Sequence, residues 1–165
     1  MFLYTSSLFK PYEPNAPRFQ PILQISDLRI WVSNSATNTS VMALVATNTG
    51  GEPGIIEAIT VKGISIPYSS WYYHQVESST VAQNPKVLLK PDFSPEFVDI
   101  DSSTPSEEPL IRATGPVPLK NLESVIIYLK NPANMGSDEA DITVSVTTRI
   151  SGVTQTFSTP VVNTN

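Results

Sequence analysis

The residues able to do chemistry are few and scattered. His74 is the single histidine, and the 165 residues contain no cysteine. A catalytic imidazole needs a nucleophile or a carboxylate held beside it, and a metal site needs a cluster of donors. His74 sits in Trp71-Tyr72-Tyr73-His74 with no such neighbour in the sequence, and it reads as a partly exposed strand residue. Without cysteine there are no disulfides and no thiolate metal sites. The carboxylates gather between Asp92 and Glu108, where Asp92, Glu96, Asp99, Asp101, Glu107 and Glu108 occur with no basic residue among them. Asp99-x-Asp101 has the look of a calcium ligand pair, but the central glycine and distal glutamate of a calcium loop are missing. The many serines and prolines describe a solvated acidic loop, pinned to the body by Phe93, Phe97 and Ile100. Paired carboxylates also cleave glycosides, yet nothing in their spacing puts two of them across a cleft. The expectation is a protein that is not an enzyme and has no cofactor and no bound metal.

A second kind of chemistry is recognition. Trp71, Tyr72 and Tyr73 follow Tyr68 closely. One reading is a strand with one aromatic face buried and the other at the surface. The other is a contact patch, since Trp and Tyr are enriched at interfaces and stack on sugars. Trp71, Tyr72 and Tyr73 are taken as surface-contact residues, with protein rather than sugar as the partner. Asn38-Thr39-Ser40 forms a glycosylation sequon, which makes Asn38 an acceptor if the chain is exported.

Composition narrows the partners. The formal net charge is −5, so the basic footprint of a nucleic-acid binder is missing, and anionic membrane surfaces are disfavoured. Charged residues make up 15%, against about 25% in an average domain. Ser, Thr and Asn fill the surface instead, as is common on extracellular or particle-borne β proteins. No apolar run approaches the ~20 residues of a membrane span. The first ten residues, MFLYTSSLFK, lack the basic region and the apolar length of a signal peptide. The expected partners are other copies of the chain or other subunits of one assembly, with no nucleic acid and no membrane span.

Two regions must position these groups: an arm, residues 1–21, and a body, residues 22–165. Pro11, Pro14, Pro17 and Pro21 recur every three or four residues. Proline removes a donor and fixes φ, which favours extended backbone over helix. Phe2, Leu3, Tyr4, Leu8, Phe9, Tyr12 and Phe19 lie among and before these prolines. So many large apolar groups need cover, either from the arm's own body or from a neighbouring subunit.

The body reads as eight to ten strands with no helix. Ile22–Val32 alternates but changes phase near Asp27, which predicts a bulge. Val41–Thr47 and Ile55–Val61 are strands around the turn-rich Asn48-Thr49-Gly50-Gly51 and Pro53-Gly54. Leu122–Lys130 is apolar on both faces, as a central strand is. Ala140–Ile150 alternates cleanly, Ser151-Gly152 is a hairpin turn, and Val153–Val162 returns. Leu44, Ile59, Val61, Ile126, Ile142, Val144 and Val146 are the expected core. Many short strands between Gly/Pro turns predict an all-β fold, an antiparallel β-sandwich with Greek-key connections, immunoglobulin-like or jelly-roll, carrying an extended Pro-rich N-terminal arm.

Two segments carry a resemblance. One is Asn48-Thr49-Gly50 followed by Ile56, Ile59, Val61 and Gly63. The other is Leu129-Lys130-Asn131-Pro132 with the closing hairpin ITVSVTTRISGVTQTF. Together, over about half the chain, they resemble the immunoglobulin-like β-sandwich domains of archaeal surface proteins: pilins, archaellum-associated proteins and filament subunits. The chain departs from type IV pilins in having no long apolar N-terminal helix. The resemblance implies an extracellular, cell-surface structural subunit of a filament or pilus-like assembly, with residues 1–21 as the segment that completes a neighbour's sheet. The alternative is a virion structural protein, a capsid subunit whose arm threads under its neighbours; Met1 and the missing export signal speak for it. A carbohydrate-binding module is third, resting on Trp71, Tyr72 and Tyr73 alone.

Overall fold

The computed structural model describes residues 22–33, 39–77, 89–99, 107–132 and 143–164. The arm residues Phe2, Leu3, Tyr4, Leu8, Phe9, Tyr12 and Phe19 lie outside the described residues, as do Asn38, Ile100, Asp101, Ile142 and the side chains of Val144 and Val146. Twelve strands are described: β1 Leu23–Ser33, β2 Ser40–Asn48, β3 Gly54–Val61, β4 Ile64–Ser65, β5 Trp71–Glu77, β6 Phe97–Asp99, β7 Glu107–Pro109, β8 Ile111–Arg112, β9 Val117–Leu119, β10 Glu123–Lys130, β11 Thr143–Ile150 and β12 Val153–Thr164. The excess over eight to ten comes from β4 and β6 to β9, pieces of two or three residues that are too short to leave an alternating pattern. A single 3₁₀ turn, Tyr68–Ser70, precedes β5. Among the described residues no helix is long and apolar enough to cross a membrane.

Local chemistry explains the turns and the bulge. The β1–β2 register shifts between Ile25 and Asp27, where the sequence changes phase. Lys62-Gly63 joins β3 to β4 and Ser151-Gly152 joins β11 to β12, with φ of 52° and 77°, and of 46° and 82°. Both central residues of a two-residue hairpin turn sit in the left-handed region, because that twist matches the flanking strands. A Cβ built on Gly63 or Gly152 meets nothing within 4 Å, so these glycines serve the backbone angle rather than the space.

Ten strands form one curled, mixed sheet in the order β4-β3-β11-β12-β1-β2-β10-β5-β8, with β9 alongside β3, and β6 and β7 form a separate ribbon. The expected purely antiparallel arrangement needs correcting at one place. β1 and β12 run parallel from Ile30↔Val161 to Ser33↔Thr164. Among the described residues the β11–β12 ladder extends to Thr143↔Pro160, and the last residues of β12 lie beside β1 in the same direction. β2 and β3 are not hairpin partners either. β2 lies between β1 and β10, whereas β3 pairs with β11, β4 and β9. The turn from Asn48 to Pro53 therefore carries the chain from one half of the sheet to the other.

That crossing builds the core. Ile56, Ile59, Val61 and Ile150 from one half pack with Ile30, Met42, Leu44, Val125, Ile127 and Leu129 from the other, closed at the ends by Trp71 and Leu119. Leu44, Ile59, Val61 and Ile126 are buried, as expected. A second apolar cluster lies on the opposite face of β1, β2, β10 and β5, where Trp31, Val41, Ala43, Val45, Ile126 and Tyr128 are covered by Leu89, Phe93, Val98 and Leu110. β2 and β10 are thus buried on both sides. The start and end of the acidic stretch are not a free loop: Phe97–Asp99 pairs with Glu107–Pro109, and Val98 reaches the second cluster.

One polar side chain ties the crossing together. Asn48 is fully buried. Its Oδ1 accepts from the Ile22 N–H (3.3 Å) and the Gly50 N–H (3.0 Å). Its Nδ2 donates to the carbonyls of Glu52 (2.8 Å) and Leu119 (3.3 Å). Around it the Thr49 N–H donates to the Ile22 carbonyl and the Leu122 N–H to the Asn48 carbonyl. A buried amide is tolerated when its hydrogen-bonding capacity is used, and here both ends of the amide are engaged. Asn48→Ala leaves those four backbone groups without their partner. We expect it to lower the unfolding free energy by about 1–3 kcal/mol, the cost of stranding buried polar groups, in a urea titration. A loss indistinguishable from zero would show that water replaces the amide.

Candidate functional site

The aromatic patch is not where the sequence put it. Trp71 has 0% exposure, so its assignment as a surface-contact residue is corrected. It opens β5 beside the end of β10 (Leu129↔Trp71), its side chain on the inner face. Its indole N–H donates to the Ile66 carbonyl (3.1 Å), and Tyr68 packs edge-on at 4.9 Å between ring centroids. A buried indole with its one donor satisfied is a packing residue. Tyr73, two residues on, packs against the same core, and Tyr72 joins the outer cluster; both are half-buried.

His74 lies on the outer face of β5, with Nδ1 3.1 Å from the Pro109 carbonyl. A carbonyl only accepts, so Nδ1 carries the proton. Among the described residues no group of three or more His, Cys, Asp or Glu side chains stands close enough to hold a metal ion. The hollow nearest the acidic stretch, about 260 Å³, is lined by Lys90, Asp92, Phe97, Glu107 and Tyr128. Tyr128 is buried there, donating to the Lys90 carbonyl (3.3 Å) and accepting from the Lys90 N–H (3.2 Å). Burial raises its pKa; the Lys90 backbone bond opposes this, and Asp92 and Asp27 add to it.

The feature that stands out is a seam. β12 pairs with β11 along Val153–Pro160 and with β1 only from Val161 onward. β1 pairs with β2 from Leu23 to Val32. Between the first halves of β1 and β12, therefore, no ladder forms among the described residues. The Thr159 hydroxyl donates to the Leu28 carbonyl (2.8 Å) and marks the closed end of the gap. A hollow of about 300 Å³ follows, lined by Ile25, Ser26, Asp27, Leu28, Phe157 and Ser158. At the open end stand Ile22 and Val153, large apolar side chains 54% and 42% exposed. The two lie at the same end of the sheet, since Ile22 is bound to Asn48, Asn48 to Leu119, Leu119 pairs with Gly54, and the β11–β12 turn is bound to Ile55. The sequence carried two signals of this seam, the phase change at Asp27 and the uncharged run Val153-Thr-Gln-Thr-Phe-Ser158, but nothing in it showed that the two are neighbours.

No protein-family model matches the chain, and no curated protein matches it.

Two measurements test these placements. Trp71→Ala is expected to lower the unfolding free energy by about 3–5 kcal/mol, the usual cost of emptying a core indole site; a loss well under 1 kcal/mol would return Trp71 to the surface. For Tyr128 the folded pKa is raised, so its contribution to stability is complete below the unfolded value of about 10 and is lost as pH rises through the higher folded value. Chemical denaturation between pH 8 and 11.5 should show the wild type losing stability at the alkaline end more steeply than Tyr128→Phe. Parallel curves would show that Tyr128 titrates as an exposed phenol.

Proposed function

We propose that this chain is a non-enzymatic structural subunit of an extracellular, filament- or pilus-like surface assembly of an archaeon, joined to its neighbours through residues 1–21. The fold underlying this reading is an immunoglobulin-like β-sandwich. The strand order supports it. β1-β2-β10-β5 is the order A-B-E-D and β12-β11-β3 the order G-F-C of that architecture. The parallel β1–β12 pair joins first strand to last, and one core draws on both sets.

The observation that carries the assembly reading is the junction between arm and body. Seven large apolar side chains lie within residues 1–21, and that segment joins the body at Ile22, beside the open end of the seam. Trp71, the strongest support for a carbohydrate module, is spent on the core, which weakens that reading.

The test is to image the full chain and a chain lacking residues 1–19 by negative-stain electron microscopy, with circular dichroism on both. The full chain should form rods, and the shortened chain should keep its β spectrum and remain monomeric. Closed shells in place of rods would favour the virion alternative, and a shortened chain that still assembles would remove the arm from the account.

A further inference from the structure

We infer that the hollow beside Arg112 is a binding site for an acidic sugar, whose carboxylate is held by the Arg112 guanidinium. The site is complete in a single copy of the chain and so stands apart from the assembly reading above.

The hollow, about 370 Å³, lies between the 3₁₀ turn Tyr68–Ser70 and the end of β8, and Tyr68, Ser69, Arg112, Ala113 and Thr114 line it. That volume falls in the ~300–1,000 Å³ range of small-ligand sites. Its frame is tied to the core. The Ala113 N–H donates to the Trp71 carbonyl (2.9 Å), and Ala113 is buried. The Tyr68 ring packs edge-on against the buried Trp71 ring, and the Tyr68 hydroxyl donates to the Glu57 carbonyl. β8 itself is paired to β5 through Tyr72↔Arg112. Walls held in this way keep their shape without a ligand, so binding has little left to order.

Arg112 supplies the charge. Its Nε–H donates to the Ser69 carbonyl (2.9 Å), which fixes the plane of the guanidinium at the wall of the hollow. Its terminal nitrogens make no hydrogen bond to any described residue. A planar fork anchored at one nitrogen presents its other N–H groups in a set array, and that array matches a carboxylate. Among the described residues no acid lines the hollow. The stretches that come together around the start of β5, residues 62–73, 111–114 and 128–132, contain Lys62, Arg112 and Lys130 and no acid, although the whole chain carries −5. The rest of the lining selects the kind of anion. Ser69 and Thr114 bring hydroxyls, which both donate and accept, and neither hydroxyl is bonded to a described residue. Ala113 and the Tyr68 ring add apolar surface. A hexuronic acid combines a carboxylate, several hydroxyls and an apolar ring face. An acidic amino-acid side chain has the carboxylate without the hydroxyls, and a neutral hexose has the hydroxyls without the carboxylate.

The test titrates glucuronate, glucose and N-acetylaspartate onto the full chain and follows them by saturation-transfer NMR, a ligand-side readout that serves monomers and rods alike. Glucuronate is expected to bind, with glucose and N-acetylaspartate each roughly tenfold or more weaker, the scale of one charge-assisted hydrogen bond. Arg112→Gln should weaken glucuronate by a similar factor. Arg112→Lys, which keeps the charge and loses the fork, should not restore it. Arg112 is exposed, and circular dichroism checks that each variant keeps the β fold. Glucuronate that receives no saturation, or that binds Arg112→Gln as well as the wild type, overturns the assignment. Glucose bound as tightly as glucuronate would show that no carboxylate is read, and N-acetylaspartate bound as tightly would make the hollow a site for acidic peptides; either result overturns the acidic sugar. If Arg112→Gln does not fold, the ranking of the three probes on the wild type still decides.

Discussion

Two neighbouring strands buried on both faces set the terms for everything else in this molecule. Along β2 and β10 nearly every side chain is removed from water, so every backbone group there has to find its partner within the sheet, and both faces need a cover. The inner cover is the other half of the sheet, reached by the crossing at Asn48. The outer cover is supplied by segments of little regular structure, 89–99 and 107–110, whose apolar residues Leu89, Val98 and Leu110 pack onto the sheet. The fold is thus three layers deep over β2 and β10. Even the buried phenol of Tyr128 is used to tie the outer layer down at Lys90.

The sequence was legible where one strand explains itself. β10 announced its central place through apolar residues on both faces, β1 its bulge through a change of phase, and the β11–β12 turn through Ser151-Gly152. It was illegible where meaning depends on distant partners. Asn48 reads as an ordinary turn residue, and only its four partners from Ile22 to Leu119 reveal a hub. Trp71 reads as a recognition residue because aromatic runs serve both surfaces and cores; what decides is Ile66, whose carbonyl takes its N–H, and no local pattern encodes that. The acidic stretch misleads for the opposite reason. Its charge describes the side facing water and hides Val98 and Phe93, which pack into the outer cluster.

The candidate site was the least legible part. Its walls are separated by more than a hundred residues in sequence, and what distinguishes it is a ladder that stops. An interrupted ladder has no signature in residue type. The nearest trace is the uncharged run Val153–Ser158 on β12.

The parallel pairing of the first and last strands has a mechanical consequence. A pull entering at Ile22 and leaving at Thr164 acts on the two strands from opposite ends of the molecule, along their own axes. The β1–β12 bonds from Ile30↔Val161 to Ser33↔Thr164, with the Thr159 and Thr164 hydroxyls bonded to the Leu28 and Val32 carbonyls, are then loaded in shear and must yield together rather than one after another as in a zipper. A domain closed in this way transmits tension along its length without opening, which is the property demanded of any link in a chain that is stretched from outside.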